Sequence, residues 1–67
     1  MRLGDTINVN CTDTGKTQPG LVHRLGKDYL EVLLGPETKR VRVVLKRKPN
    51  TKLFVGNLVG MEFTVQT

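Results

Sequence analysis

Arg40, Arg42, Lys46 and Lys48 stand at even spacings within one stretch of this 67-residue chain. If that stretch is a β-strand, alternate side chains leave the same face about 6.6–6.8 Å apart. The four cations then form a row roughly 27 Å long. Phosphates in nucleic acid repeat on a comparable scale, about 3.4 Å per step along one strand of a B-form duplex. The row is therefore suited to following a phosphate backbone. Lys39, Arg47 and Lys52 add to its field, and Arg24 and Lys27 from an earlier segment can extend it.

The distribution of charge supports this chemistry more than its total. The net charge is +5, but residues 1–34 carry four basic and four acidic groups, which cancel. Residues 35–67 carry seven basic and two acidic groups, and all seven cations fall in 39–52, where there is no acid. Such a local excess attracts anionic partners and speeds their association. Charged faces also keep sheets apart, and lysines on an edge strand block edge-to-edge pairing. Faces serving only that purpose mix both signs, and this one does not.

Aromatic content limits the mode of binding. Proteins that hold single strands stack bases on aromatic side chains. Only Tyr29, Phe54 and Phe63 are present, and alternation assigns Phe63 to the core. Tyr29 and Phe54 remain as platforms. The expected contacts are mainly to backbone phosphates, with weak sequence preference and strong salt dependence. The expected binding residues are Arg24, Lys27, Tyr29, Arg40, Arg42, Lys46, Lys48 and Lys52. The interleaved glycines and aromatics of RNA-recognition motifs are absent.

Other chemistry finds little support. The chain has no serine, so a serine nucleophile is excluded. Cys11 is the only cysteine and His23 the only histidine, so neither an intrachain disulfide nor a Cys/His metal cluster can form. The two could make a dyad on neighbouring strands. Both, however, fall on apolar faces at strand spacing, where cysteine behaves as a small hydrophobe. Gly15-Lys16-Thr17 matches the end of a phosphate-binding loop, but Asn10 stands where that motif needs glycine. Pro19 and Gly20 then break the helix the motif requires. The carboxylates of Asp5, Asp13, Asp28, Glu31, Glu37 and Glu62 are scattered. We expect a non-enzymatic protein without cofactor.

The elements that carry these residues read as strands. Alanine, the best helix former, is missing, and valine and threonine are frequent. Ile7, Val9 and Cys11 alternate with polar residues over 5–11. Residues 12–20 read as an exposed polar loop. Leu21, His23 and Leu25 share one face of a strand over 21–25. Gly26-Lys27-Asp28 is a tight turn, where glycine supplies positive φ. Leu30, Val32 and Leu34 form the core face of 29–34, and residues 35–38 form a hairpin loop. Residues 39–48 make the longest strand, with Val41, Val43 and Leu45 inward. Pro49 ends it. Residues 53–55 form at most a short strand, interrupted by Gly56-Asn57. The last strand runs from 61 to 65, with Met61, Phe63 and Val65 inward.

Turns every 8–12 residues predict a single all-β domain spanning 1–67, a small antiparallel barrel of five strands. Closure is the stable arrangement for strands this short. The order of a long first loop, two tight hairpins and a short break resembles the SH3-like and Sm-like small barrels. An oligonucleotide-binding-type (OB-like) barrel is the runner-up.

A second functional reading is a protein-interaction or oligomerisation module that pairs through an edge strand or docks an acidic protein partner. Leu33, Val44 and Val59 would be its exposed apolar residues. A third, binding of a small anionic nucleotide, ranks lower, because the arginine pair with three residues between, used by PilZ-type barrels, is absent. A lone cysteine fits the cytoplasm. No apolar run is long enough for a signal peptide or a membrane span, so no membrane partner is expected.

Overall fold

Period-two alternation gives six strands and no α-helix in the computed structural model, which describes residues 1–66. The strands are β1 (Thr6–Cys11), β2 (Lys16–Leu25), β3 (Tyr29–Leu34), β4 (Val41–Arg47), β5 (Leu53–Leu58) and β6 (Met61–Gln66). Each pairs antiparallel with the next, and β1 pairs with β6 to close a barrel. Closure rests on Asn10↔Thr64 and Cys11↔Phe63. The β1–β2 loop reinforces it: the Glu62 N–H donates to Asp13 Oδ2 (2.7 Å) and the Thr12 hydroxyl to Glu62 Oε1 (3.0 Å).

The barrel thus has six strands rather than five, because β5 continues through Gly56-Asn57. Gly56 does not break the strand; it lets β5 cross close over β4. A Cβ at Gly56 would lie 2.3 Å from the Val44 carbonyl oxygen. Glycine in a strand often marks such an approach of another backbone. β5 alternation then turns Phe54 into the core rather than leaving it as a stacking platform.

The stretch 16–20, expected as loop, is the first half of the ten-residue β2, the longest strand. Here β2 pairs with β1 alone, and pairing with β3 begins at Gly20. With one side unpaired, the strand tolerates Pro19, which has no N–H. β4 is shorter than expected because a single 3₁₀ turn at Glu37–Lys39 occupies the start of the predicted strand.

The inward face of β2 is the reverse of the expected one. Val22 is buried, whereas His23 and Leu25 are exposed. A bulge confines this reversal to the residues before it: Val22 pairs with Val32 and Arg24 with Glu31, so His23 is the extra residue and Leu25 comes opposite the buried Leu30. An extra residue shifts the alternation that sequence reading relies on.

The core joins Val9, Cys11, Val22, Leu30, Val32, Leu34, Val43, Leu45, Phe54, Phe63 and Val65. Val41 and Met61, expected inward, are exposed. Among the described residues β4 and β5 pair only through Lys46↔Val55 and Arg47↔Phe54, so no β5 residue stands opposite Val41 in the ladder. Val41 and Met61 instead line an open groove with Leu34, Leu58, Val59 and Phe63.

Two stability predictions follow from this packing. Leu45 is fully buried, so Leu45→Ala should cost about 2–5 kcal/mol in urea unfolding. A barrel this small has little stability to lose, so the variant should unfold at a much lower urea concentration. Val59, by contrast, sits in a two-residue hairpin loop at φ 53°, followed by Gly60 at φ 75°. Positive φ at both positions suits Asn-Gly and strains a β-branched side chain. Val59 also gains nothing by burial, being 87% exposed. Val59→Asn should therefore raise stability by about 1 kcal/mol or more in the same assay.

Candidate nucleic-acid interface

Cation positions on the barrel are set by the register of three strands. β4 turns Val43 and Leu45 inward, so Arg42, Val44 and Lys46 face outward. Across the ladder on β3 stand Leu33 opposite Arg42, Glu31 opposite Val44 and Tyr29 opposite Lys46. On β2, Arg24 stands opposite Glu31. Arg42 and Lys46 are four residues apart on one face, about 13 Å by strand rise. Arg40 and Lys48 flank the strand rather than belonging to it. The expected row of four therefore reduces to two regularly spaced cations with a further one beyond each end.

The expected site residues divide into two groups. One lies where the β2–β3 turn meets the end of β4. It comprises Lys27, Tyr29, Lys46 and Lys48, with Lys52 in the loop to β5. Arg47 fixes this junction: its guanidinium donates to Asp28 Oδ1 (2.9 Å) and its backbone N–H to the Asp28 carbonyl (2.8 Å). Lys27, Lys46 and Lys48 form no ion pair among the described residues. The second group surrounds Glu31. Arg40 joins neither; it stands beside Glu37, 3.9 Å away.

Glu31 is a residue of this candidate face that its sequence position did not single out. Only 7% exposed, it is the one buried charged residue among those described. Its carboxylate is approached by Arg24 Nε (3.5 Å), Arg42 Nε (3.7 Å) and His23 Nε2 (3.7 Å). These distances exceed hydrogen-bond lengths, so the attraction is Coulombic. Oε2 is buried without a hydrogen-bond partner among the described residues. Alternation already places Glu31 outward. What it cannot supply is the register and the β2 bulge, which bring Arg24 and His23 to the same carboxylate as Arg42.

The acid-free stretch in the sequence is therefore not acid-free in space, since Asp28, Glu31 and Glu37 approach its arginines. A large positive excess survives. Between Arg24 and Lys52 lie nine of the eleven basic residues and three of the six acidic ones. Outside that range, two cations meet three acids. The net positive charge thus belongs to the segment from the end of β2 to the β4–β5 loop.

Gly26 has a different role from the one its turn position suggested. It is not among the residues with positive φ. A Cβ there would fall 2.1 Å from Tyr29 Cε1 and 2.4 Å from Cδ1, so the tyrosine ring occupies the place of the missing side chain. The Gly26 N–H also donates to the Tyr29 carbonyl (2.9 Å), closing the hairpin.

Cys11 and His23 are not brought together. Cys11 is buried opposite Lys16, at the far end of β2 from the exposed His23. Among the described residues, no three His, Cys, Asp or Glu side chains are grouped to hold a metal ion. No helix among them is long and apolar enough to cross a membrane. Neither a protein-family model, nor a curated protein, nor a solved structure matches this chain.

Proposed function

We propose that this protein binds nucleic acid through its phosphate backbone, using the outer face of β3–β4 and the adjoining β2–β3 turn. The observation that carries the reading is the charge partition. Nine cations between Arg24 and Lys52 meet three acids, and Lys27, Lys46 and Lys48 stand without an ion pair among the described residues. Lysines on an outer sheet face give contacts that position a backbone without reading its sequence. Arg24 and Arg42 contribute field while also holding Glu31. The reading includes a cytoplasmic, non-enzymatic role; the lone buried cysteine supports the first and the separation of Cys11 from His23 the second. For the finer fold, the tight β2–β3 and β5–β6 hairpins favour an SH3-like or Sm-like barrel.

The test is titration of labelled single- and double-stranded oligonucleotides at several salt concentrations. Affinity should fall steeply with salt, and Lys46→Ala should reduce the slope of log affinity against log salt by about 1. Absence of binding at low salt would overturn the reading.

One observation favours a second reading, a protein-interaction or oligomerisation module. The strained, exposed Val59 projects beside the groove lined by Leu34, Val41, Leu58, Met61 and Phe63. A dimer in light scattering that Val59→Asn dissolves would support it. A monomer at high concentration would remove its oligomeric form.

A further inference from the structure

We propose that Tyr29 is a base-stacking platform, which makes the preferred ligand a single-stranded rather than a duplex nucleic acid; this rests on the backbone-binding reading above. The chain has three aromatic residues, Tyr29, Phe54 and Phe63. Phe54 and Phe63 are buried, so Tyr29 is the one aromatic side chain left on the surface. It is not a loosely held side chain. Its ring lies over Gly26 where a Cβ would otherwise stand, and the hairpin hydrogen bond closes beneath it. A ring backed on one side by glycine backbone is held in place, and packing of this kind compensates for the missing glycine side chain. Tyr29 nevertheless remains 44% exposed, so the side chain is within reach of a ligand.

Three lysines stand near Tyr29 in the ladder or along the chain. Lys46 stands directly across the ladder from Tyr29, with side chains about 5 Å apart at their Cβ atoms. Lys27 occupies the turn two residues before, and Lys48 follows β4. The Asp28–Arg47 contacts pin the turn to the strand, so ring and lysines keep their relative positions. A base stacked on Tyr29 would carry its flanking phosphates among these ammonium groups. Aromatic stacking with a positive groove is the usual means of holding single strands, and it tolerates any base because every base has a π-face. A duplex hides those faces within its own stack, leaving only its phosphates for the lysines.

The test uses the intrinsic emission of the protein. The chain has one tyrosine and no tryptophan, so ultraviolet fluorescence reports Tyr29 alone. The probes are oligothymidylate, oligouridylate, a mixed-sequence duplex and base-free inorganic polyphosphate. The two single strands should quench the emission, and polyphosphate and duplex should not. Tyr29→Leu should weaken single-strand binding by about 5- to 100-fold and leave polyphosphate binding unchanged. Tyr29→Phe, which keeps the π-face, should bind single strands nearly as wild type does. If all four polyanions bind without quenching and Tyr29→Leu retains its affinity, the platform is refuted while backbone binding stands. If none binds at low salt, the backbone reading itself fails, and the platform with it.

Discussion

Reversing two charges, Lys46→Glu together with Lys48→Glu, is expected to lower affinity for single-stranded nucleic acid by on the order of 100-fold at about 0.05 M salt. The magnitude comes from counterion release. Each phosphate neutralised by a cation contributes about 0.7–0.9 to the slope of log affinity against log salt. Two lost contacts remove about 1.4–1.8 from that slope, which at about 0.05 M is roughly two orders of magnitude in affinity. Repulsion by the new carboxylates adds to the loss. These lysines are the cleanest residues to test. Both are exposed and neither has an ion-pair partner among the described residues, so folding should be undisturbed. Electrophoretic or anisotropy titrations would measure the effect, with circular dichroism to confirm the fold. An affinity within about threefold of wild type across the salt series would show that the ligand does not contact this end of β4.

The second large effect concerns stability and is asymmetric. Replacing Arg24 and Arg42 together by methionine should destabilise the barrel by about 1–3 kcal/mol, because the arginines are mostly exposed while the carboxylate they face is buried. The double variant leaves the Glu31 carboxylate buried with only His23 beside it. A buried charge stripped of its partners is among the costliest single defects in a folded protein. The reverse change should be mild. Glu31→Leu removes the buried charge, and both arginines are already mostly exposed and can turn to water. Leucine there would extend the apolar pair Leu33 and Val44 on the outer face. We expect stability to change by less than about 1 kcal/mol, since apolar replacement of buried ionic groups is often neutral or better. Glu31→Leu also raises the positive charge of the face by one, so nucleic-acid affinity should rise. Chemical unfolding of the two variants side by side tests the asymmetry, and equal costs would contradict it. The arginine result also guards against a misreading. Lost binding in Arg42→Ala could reflect a loosened sheet, whereas lost binding in the lysine variants reflects the ligand.

The sequence reading succeeded where alternation is uninterrupted. β3 buries Leu30, Val32 and Leu34, and β6 buries Phe63 and Val65, as period two requires. It failed at backbone irregularities that side-chain pattern cannot reveal. The bulge at His23 changes the alternation partway along β2, so no single phase describes that strand, and the crossing at Gly56 looked like a strand break. Val41 was misplaced because its exposure depends on how far β4 stays paired with β5, a long-range fact.

The candidate site was legible to a similar degree. The outward direction of Arg42 and Lys46 follows from the inward direction of Val43 and Leu45. Local composition exposed the excess of positive charge, because seven cations without an acid stand close in sequence. The compensating acids come from other strands and turns, so only the register could show them. Tyr29 appeared in the sequence as a nearby aromatic, but its support by Gly26 depends on the three-dimensional hairpin.

Amide chemical-shift mapping by two-dimensional NMR during titration with oligothymidylate at low salt would locate the bound strand on the barrel. The perturbed amides should cluster at Lys27, Tyr29 and Lys46–Lys48, and the shifts should reverse when salt is added. Perturbation confined to the groove at Val41, Leu58 and Met61, or none at millimolar oligonucleotide, would contradict binding at this face.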